Sequence, residues 1–541
     1  SRIALEVSAA RPSRVYAVIG QPNNSMNSGT FAGFYRSLDS CVNFTRLTNT
    51  PNLLGYNSNG QDARTQAAYD LALWVSDTDE DTVLVGGVNK WRSTDEGFNF
   101  SLNTFWNLST AQQNGWNCTH ADIHAFEFNP ADGFLYCGND GGIYRSNNGG
   151  TTWTNITPGA LLTQFYDIDV NDANANFLLG AAQDNGVKQK RGAAASWQSD
   201  LGADGVNCWY EGNSTNVLYG ITQDGTLYLA TDGTTFNSVA GTADDGAFVT
   251  RTCRVPGVAT DFYYRALNGV RHYTRTGSNV DYIYLAGPPS VWGDGSSDRI
   301  GAGDDRVYAS RRDSLWRAPV GDGALTDWTL VSENAGSWTT ANHITGIAVN
   351  PDNGNEIWVT LGGYDASQKV FRSTNGGQNW SNMTDNLPNT AVLCIAFDDQ
   401  NNNPGGAVYV GTDIGVYYRD DDVDVWTIFS NGLPKGAAVV DLKIHESSGR
   451  VFAGTFGHGI WSSPVITACP PTLTVNIEQS GYNLHQASQS IQSAAKISGG
   501  FGTEVIMRAA NFVDLKAGFQ TVGNSFFQAT NDPCQVGTPG N

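Results

Sequence analysis

The sequence predicts an all-β protein, a multi-bladed β-propeller followed by a small C-terminal β domain. The 541 residues include 62 Gly, and 11% of the side chains are aromatic, a composition that favours strands joined by tight turns. Strand-like stretches alternate with turns rich in Gly, Asn and Asp along most of the chain. A four-strand pattern returns every ~40–55 residues, which is the sequence signature of propeller blades.

Each repeat contains an aromatic-Arg-Ser stretch, a polar turn and a closing aromatic residue. The clearest copies are 33–44, 89–100, 142–153 and 369–380, with reduced copies at 226–236 and 415–426. Weaker units are predicted at 165–197, 248–276, 299–328 and 439–463. These units add up to about ten four-stranded blades, which form one ring or parts of two propellers.

The turn of the best copies combines Ser, Asp or Asn, Gly and an aromatic residue at fixed spacing. The side-chain oxygens can accept hydrogen bonds from turn amides, Gly supplies a positive φ, and the aromatic ring packs between blades. The members are Ser93, Asp95, Gly97 and Phe100; Ser146, Asn148, Gly150 and Trp153; and Ser373, Asn375, Gly377 and Trp380. We therefore assign these residues to the fold and not to catalysis.

This pattern resembles the Asp-box of sialidases and other BNR-repeat propellers. With the segments 120–130, 136–146, 163–170, 181–187 and 202–212, it makes most of 1–465 similar to secreted BNR or sortilin-type propellers of Bacteroidota. A more distant similarity is to xyloglucanase-type endoglucanases. The resemblance implies a ten-bladed ring or paired seven-bladed rings, and ten visible units favour the ten-bladed ring.

The repeat pattern stops after Pro464. The residues Ala509-Ala510-Asn511, Leu515, Gly518-Phe519, Gly523, Ser525-Phe526 and Cys534 resemble the three-coathanger stack domain of secreted Bacteroidota proteins. That resemblance implies type IX secretion and an extracellular or cell-surface location, and it predicts that a following sorting domain has been removed. We expect an Asp-box propeller at 1–465 and a disulfide-closed β domain with a polar tail at 466–541. A start at Ser1 without Met predicts a processed or truncated chain.

Charge and motifs exclude several function classes. With 31 Lys+Arg against 52 Asp+Glu, the formal charge is −21, which argues against nucleic-acid binding. The sequence has no run of 18 apolar residues, so we expect no helical membrane span. It contains no GxSxG, HExxH or Walker motif, and we assign no catalytic residue.

Eight cysteines allow disulfides but no CxxC metal site. Cys118 and Cys137 flank a hairpin-like segment, and Cys469 and Cys534 bracket the tail region. We predict a disulfide within each pair, which an oxidising location would explain.

The segment 120–124 is a candidate metal site, because His120, Asp122 and His124 alternate along an extended stretch and share one face, although that spacing is wide for three ligands on one ion. Two imidazoles and a carboxylate suit a divalent metal. The alternative is that these groups hydrogen-bond neighbouring blades. The acidic run 420–424 lacks EF-hand spacing and is interpreted as a degenerate Asp-box in a solvated turn, with a Ca²⁺ site as the alternative. No cofactor is otherwise indicated.

Glycine turns supply the candidate ligand-binding residues. They are Asn139, Asp140, Gln183, Asp184, Asn185 and Asp204, together with Trp209. The alternative interpretation is turn chemistry, since Asn-Gly and Asp-Gly favour hairpins. Seven Trp residues outside the repeat's closing position are candidate sugar platforms, with core packing as the alternative: Trp74, Trp91, Trp106, Trp116, Trp209, Trp292 and Trp338. A resemblance to Bacteroidota O-glycosylation sequences marks Thr82 and Ser314.

These observations favour a secreted, non-catalytic binding or structural module at the cell surface, such as an adhesin, a glycan binder or a component of an extracellular assembly. The expected partners are an extracellular glycan or a surface protein. One alternative is a polysaccharide hydrolase of the xyloglucanase type. A second alternative is a structural subunit that assembles with itself.

Overall fold

The structure is a computed structural model. It describes residues 1–21, 29–193, 196–242, 246–286, 298–320, 328–339, 342–399, 406–420, 425–466, 472–476, 478, 482–487, 490–498, 503–509 and 511–531. The chain divides into two compact units, Ser1–Leu162 and Thr163–Asn541. Each unit is described separately below.

The first unit contains three four-stranded antiparallel sheets in its described residues. Their strands are β1 (Arg2–Val7), β2 (Val15–Gln21), β3 (Thr30–Ser37) and β4 (Thr45–Thr48); β5 (Ala72–Val75), β6 (Val83–Gly86), β7 (Lys90–Ser93) and β8 (Ser101–Thr104); and β9 (Ile123–Asn129), β10 (Phe134–Asn139), β11 (Gly142–Ser146) and β12 (Thr154–Asn155). Each sheet is a meander, in which consecutive strands pair. The first two sheets share an apolar core that includes Tyr16, Phe34, Val85 and Trp91.

One helix, α1 (Leu108–Asn114), interrupts the first unit between β8 and β9. The Asn107 side chain accepts a hydrogen bond from the Thr110 N–H and caps the start of the helix. Gly115 ends it with φ of 68°, and its N–H bonds the carbonyls of Ala111 and Gln112. The ends of this short helix are therefore set by its own sequence.

The second unit begins with seven antiparallel sheets in its described residues. Their strands are β13 (Phe165–Asn171), β14 (Asn174–Ala182), β15 (Gly186–Lys190) and β16 (Gln198–Leu201); β17 (Gly205–Tyr210), β18 (Leu218–Thr222), β19 (Leu227–Ala230) and β20 (Asn237–Ser238); β21 (Thr252–Val255), β22 (Val258–Ala266), β23 (Gly269–Thr276) and β24 (Asn279–Ala286); β25 (Ile300–Ala302), β26 (Arg306–Arg311), β27 (Ser314–Pro319) and β28 (Thr329–Leu330); β29 (Ile344–Asn350), β30 (Asn353–Leu361), β31 (Val370–Ser373) and β32 (Ser381–Asn382); β33 (Val392–Asp398), β34 (Ala407–Thr412), β35 (Gly415–Asp420) and β36 (Thr427–Ile428); and β37 (Val439–His445), β38 (Arg450–Thr455) and β39 (Ile460–Pro464).

These seven sheets close into a ring. Strands β37 and β38 of the last sheet pack against β13 of the first, Gln164 pairs with Phe456 as an antiparallel bridge, and the Ile168 N–H donates to Asp441 Oδ2 at 2.9 Å. The predicted all-β propeller is confirmed, and the weak repeats of this region are sheets. The single ten-bladed ring is wrong, because the ring already closes with seven blades.

The C-terminal part of the second unit has a different architecture, because its strands pair in parallel. They are β40 (Thr472–Val475), β41 (Tyr482–Ala487), β42 (Ser490–Ser493), β43 (Lys496–Ile497), β44 (Glu504–Ala509), β45 (Phe512–Leu515), β46 (Gln520–Thr521) and β47 (Phe526–Thr530). Thr472 lies opposite Ser490, which lies opposite Phe512, so successive turns of chain stack in register. Ile491, Ile497, Val505 and Met507 form the buried core of the stack.

The Ser turns of the repeat have one geometry. In the second sheet, Ser93 Oγ accepts the N–H groups of Asp95 (3.3 Å) and Gly97 (2.9 Å), and Asp95 Oδ1 accepts the Asn99 N–H at 2.9 Å. The same bonds recur at the turns that begin at Ser37, Ser146 and Ser373. Gly97 has φ of 87°, and a Cβ there would lie 2.2 Å from the Phe34 ring of the neighbouring sheet. Phe100 packs edge-on against the same ring at 5.0 Å.

Candidate functional site

Three carboxylates of the first unit lie at the ends of its strands, and Asp122 is near each of the other two. Asp70 precedes β5, Asp122 precedes β9, and Asp140 lies in the turn between β10 and β11. Oxygen atoms of Asp122 and Asp140 lie within 4.8 Å of each other. Gln66 contacts both Asp122 and Asp70. Its Nε2 donates to Asp122 Oδ1 at 2.9 Å, and its carbonyl accepts the Asp70 N–H at 3.1 Å.

Asp70 is the buried member of this cluster. Its residue exposure is 0%, and neither carboxylate oxygen has a hydrogen-bond donor among the described residues. Burial, followed by the charge of Asp122, raises the pKa of Asp70 to about 8. Two adjacent buried carboxyls cannot both carry an uncompensated charge, so one proton or one cation must accompany the pair.

Asp140 is held from both sides by polar groups of the same unit. The Tyr69 hydroxyl donates to Asp140 Oδ2 at 2.8 Å, and His124 Nε2 lies 2.6 Å from Asp140 Oδ1. The hydrogen bond to Asp140 raises the pKa of His124, although burial opposes the shift. The Tyr69 and His124 rings also pack edge to face at 4.9 Å.

The structure does not bring the predicted metal set of His120, Asp122 and His124 together as one group of ligands. The possible ligand atoms of these three residues do not come together within 4.8 Å. Asp122 has φ of 63°, which breaks the alternation that an extended strand would give. His120 instead packs over Gly141, where a Cβ would lie 2.4 Å from its imidazole.

The predicted glycine-turn residues fall in both units and make local turn contacts. In the first unit, Asn139 Nδ2 donates to the His120 carbonyl at 3.2 Å and its Oδ1 accepts the Gly141 N–H at 3.1 Å. In the second unit, Asp204 Oδ1 accepts the Asp184 N–H at 2.7 Å.

Gln183 and Asn185 belong to the same turn of the second unit. Gln183 Oε1 accepts the Tyr166 hydroxyl, and Asn185 Nδ2 donates to the Gln183 carbonyl at 3.1 Å. Trp209 is 5% exposed and stacks on Tyr219 at 4.7 Å. Trp209 is therefore a core residue, and its ring cannot serve as a sugar platform.

An aromatic clip, residues 105–118, carries α1 in the first unit. Its two ends meet where the Phe105 N–H donates to the Asn117 carbonyl at 2.9 Å. Trp106 and Trp116 flank the helix and are 40% and 39% exposed. Their ring centroids lie 6.0 and 5.6 Å from that of the buried Phe105, so a single phenyl ring supports both indoles.

Of the other candidate platforms, Trp74, Trp91 and Trp338 are buried, and Trp292 lies outside the described residues. Most of the candidate indoles are thus part of the core. The sequence could not separate them from the two exposed ones, because burial depends on which strands become neighbours.

The inner strands of the seven-sheet ring surround a cavity of about 400 Å³. Its acidic side chains bond the backbone of neighbouring strands: Asp167 Oδ2 accepts the Cys208 N–H at 3.0 Å and Asp169 Oδ2 accepts the Tyr210 N–H at 2.8 Å. Lys443 Nζ lies 3.0 Å from Asp441 and 3.7 Å from Asp167. Burial raises the pKa of Asp167 to about 8, against the opposing effect of Lys443. These groups join the blades.

The predicted disulfide between Cys118 and Cys137 is absent, because both are free thiols. Cys137 lies in the core with Ala72 and Ile123, whereas the Cys118 thiol faces the Trp106 carbonyl at 3.8 Å. Burial raises the pKa of Cys137. Cys469 and Cys534 lie outside the described residues, as does most of the acidic run 420–424.

The two predicted glycosylation residues differ in access. Thr82 is 5% exposed, and its hydroxyl donates to Asp79 Oδ2 at 2.8 Å. Ser314 is half-buried at the start of β27. Among the described residues, no helix has the length and apolar character needed to cross a bilayer.

Comparison with known proteins gives the fold. No protein-family model and no curated protein matches the sequence. The GH74 xyloglucanase from Xanthomonas campestris has a similar structure, with a TM-score of 0.54 and 14% identity over 85% of this chain. The match covers 66% of the xyloglucanase, so this chain spans about two thirds of its length. YCF48 from Cyanidioschyzon merolae aligns with 57% of this chain and 96% of its own, at 14% identity and a TM-score of 0.41.

Proposed function

We propose that this chain is a non-catalytic glycan-binding module that holds a neutral polysaccharide on the aromatic clip. The observation that carries the proposal is the pair of exposed indoles, Trp106 and Trp116, on one short segment. The apolar face of a pyranose ring packs on an aromatic face, and two exposed indoles on one segment offer two such faces.

The composition of the clip supports a neutral ligand. Residues 101–119 contain no Asp, Glu, Lys or Arg, although the chain as a whole has a formal charge of −21. The segment carries amide side chains instead, at Asn107, Gln112, Gln113, Asn114 and Asn117. Amides both donate and accept hydrogen bonds, which suits sugar hydroxyls.

The polysaccharide hydrolase is the main alternative, since a protein of similar fold is named a xyloglucanase. An inverting glycosidase needs two carboxyls about 6.5–9.5 Å apart, on either side of the bond that is cleaved. Asp70 has the raised pKa of a general acid, but it is fully buried against Asp122 and cannot reach a glycosidic oxygen. Asp70 therefore gives the hydrolase alternative no support.

Location and domain organisation belong to the same proposal. A propeller of the Asp-box type at 1–465, followed by a coathanger-like domain at 466–541, would act at the surface of the producing cell after type IX secretion. The resemblance of the tail sequence supports this location. The free thiols of Cys118 and Cys137 give it no support from disulfides.

Retention on immobilised neutral polysaccharides, including xyloglucan, tests the proposal. We expect the wild-type chain to be retained, and Trp106→Ala with Trp116→Ala to reduce retention at least tenfold. Trp197→Ala is the matched control, because Trp197 is 37% exposed in the second unit and packs on Phe165. Equal retention of the double variant and the wild type would overturn the proposal, as would no retention on any polymer.

Two parallel readouts separate the alternatives. New reducing ends in the same incubations would contradict the non-catalytic proposal and support the polysaccharide hydrolase. Light scattering that grows with protein concentration, without polysaccharide, would favour the self-assembling subunit.

A further inference from the structure

We propose that the cavity inside the seven-sheet ring binds a small organic carboxylate, with its anionic end at Arg251 and Arg299 and its apolar end on strands β29 and β33. The cavity measures about 400 Å³, within the range of about 300–1,000 Å³ that is usual for small-molecule pockets. It belongs to the second unit, whereas the aromatic clip belongs to the first. The proposal is therefore independent of glycan binding.

The first argument is the charge of the cavity wall. Four of its side chains are basic and three are acidic: Arg251, Arg254, Arg299 and Lys443 against Asp167, Asp169 and Asp441. The whole chain has the opposite balance, with 31 Lys+Arg against 52 Asp+Glu. Burial raises the pKa of Asp167 to about 8, so this acid is mostly uncharged at pH 7. The wall therefore carries an excess of positive charge, which an anion neutralises.

The acids of the wall already have donors. Asp167, Asp169 and Asp441 each accept a backbone N–H from a neighbouring strand. Lys443 Nζ lies 3.0 Å from Asp441 and pairs with it, while the Lys443 side chain stays 32% exposed. The cavity is thus open to solvent, and its acidic groups are engaged in joining the blades.

The second argument is the pair of arginines. Arg251 donates from Nη1 to the Tyr166 carbonyl at 3.0 Å, but its buried Nε has no acceptor among the described residues. Arg299 donates from Nε to the Thr345 carbonyl at 2.9 Å. Burial, followed by the positive charge of Arg251, lowers the pKa of Arg299 to about 9. Two guanidinium groups that repel each other in a buried site are stabilised by a carboxylate, which accepts charge-assisted hydrogen bonds from both.

The third argument is the apolar part of the wall. Strands β29 and β33 are neighbours in the ring, and together they line the cavity with Ile347, Val349, Leu393, Ile395 and Phe397. These side chains are half-buried, so part of each surface is open to a ligand. A wall with an apolar face and cationic groups matches a ligand that has an apolar end and an anionic end.

Isothermal titration of the full chain at pH 7 with hexanoate tests the proposal. As comparisons, 1-hexanol has the apolar end without the charge, and inorganic phosphate has the charge without the apolar end. We expect one hexanoate per chain, bound at least tenfold more tightly than either comparison, and a higher unfolding midpoint in its presence. No binding of hexanoate would overturn the proposal, as would 1-hexanol or phosphate binding as tightly as hexanoate.

Variants of the second unit locate the site. Arg251→Gln and Arg299→Gln should each weaken hexanoate binding at least tenfold, whereas Arg251→Lys keeps the charge and should retain most of the affinity. Arg450→Gln is the matched control, because Arg450 bonds Ser462 at 2.9 Å outside the cavity wall, and it should bind as the wild type does. Thermal unfolding shows that each variant is folded. Wild-type affinity in both glutamine variants would overturn the proposal, and the comparison of hexanoate with 1-hexanol decides it without any variant.

Discussion

Buried aspartates of the two units are satisfied in different ways. In the ring of the second unit, Asp167 and Asp169 are 5% and 3% exposed, and each accepts a backbone N–H from the neighbouring inner strand. In the first unit, Asp70 is 0% exposed and accepts none. Burial is similar, but the ring aspartates accept backbone N–H groups, whereas the neighbours of Asp70 are the Asp122 carboxyl and Gln66.

The comparison teaches that burial alone does not identify a functional acid. Asp167 has a pKa raised to about 8, as Asp70 does, yet the Cys208 N–H that it accepts gives it a structural role in the ring. What distinguishes Asp70 is the absence of donors among the described residues. An acid with donors stabilises the fold, and an acid without them requires a ligand or a proton.

The largest effect is expected for Asp169→Ala. This change leaves the Tyr210 N–H without its acceptor inside the ring, so we expect a loss of about 3 kcal/mol in the free energy of unfolding, measured by urea denaturation. Asp172→Ala is the control, because Asp172 is exposed and pairs with Arg254 at 3.0 Å on the surface. Equal losses in the two variants would show that the backbone bond is unimportant.

The second effect depends on pH and concerns Asp167. An unfolded Asp titrates near pH 3.9, whereas burial raises the pKa of folded Asp167 to about 8, with Asp441 adding to the shift and Lys443 and Arg251 opposing it. The folded chain therefore binds more protons between these values, and its stability falls as pH rises from about 4 to about 8. Asp167→Asn should flatten this part of the stability profile. An unchanged slope in the variant would assign the pH dependence to other groups.

A smaller effect of opposite sign is expected for Asp70→Asn. Above about pH 8, where the carboxyl of Asp70 is ionised, replacing it by an amide removes a buried charge, and an amide can donate to Asp122. We expect stabilisation of about 1–2 kcal/mol, seen as a higher thermal midpoint above that pH. Destabilisation by the same change would mean that Asp70 is already satisfied, and would remove the difference between the two regions.

The smallest effect is expected at the Ser turns, which both units share. Ser146→Ala removes the acceptor of the Asn148 and Gly150 N–H groups, and Ser373→Ala does the same for Asn375 and Gly377. Each should lower the unfolding free energy by about 1 kcal/mol. Ser109→Ala, at an exposed position whose hydroxyl donates to Asn107 Oδ1, should have little effect. A larger loss at Ser109 than at Ser146 would contradict this assignment.

The repeat made the architecture predictable, because turn residues and strand alternation are local properties. The Ser turn of 93–100 could be deduced from Ser, Asp, Gly and Phe at their spacing. Ring closure could not, since it depends on β37 meeting β13, which lie far apart in sequence. The pattern 120–124 predicts side chains that alternate along an extended strand. Asp122 instead has a positive φ, which the sequence does not mark with a glycine.

The site residues show the same division. No motif marks Asp70, whose only sequence signal is an acid shortly before an inner strand, the position that Asp122 also occupies. Nothing in the sequence distinguishes the exposed Trp106 and Trp116 from the buried Trp74 and Trp91. The difference appears only in the fold, where Trp106 and Trp116 pack against Phe105 and stay partly exposed to solvent.

The sequence by itself determined the all-β class, the blade repeat, the turn chemistry and the uncharged character of 101–119, since each depends on residues close in the chain. The tertiary structure decided that seven blades close a ring, that Cys118 and Cys137 stay apart as thiols, and that Asp70 faces Asp122. Those outcomes depend on which distant strands become neighbours, and on the desolvation that follows when they pack.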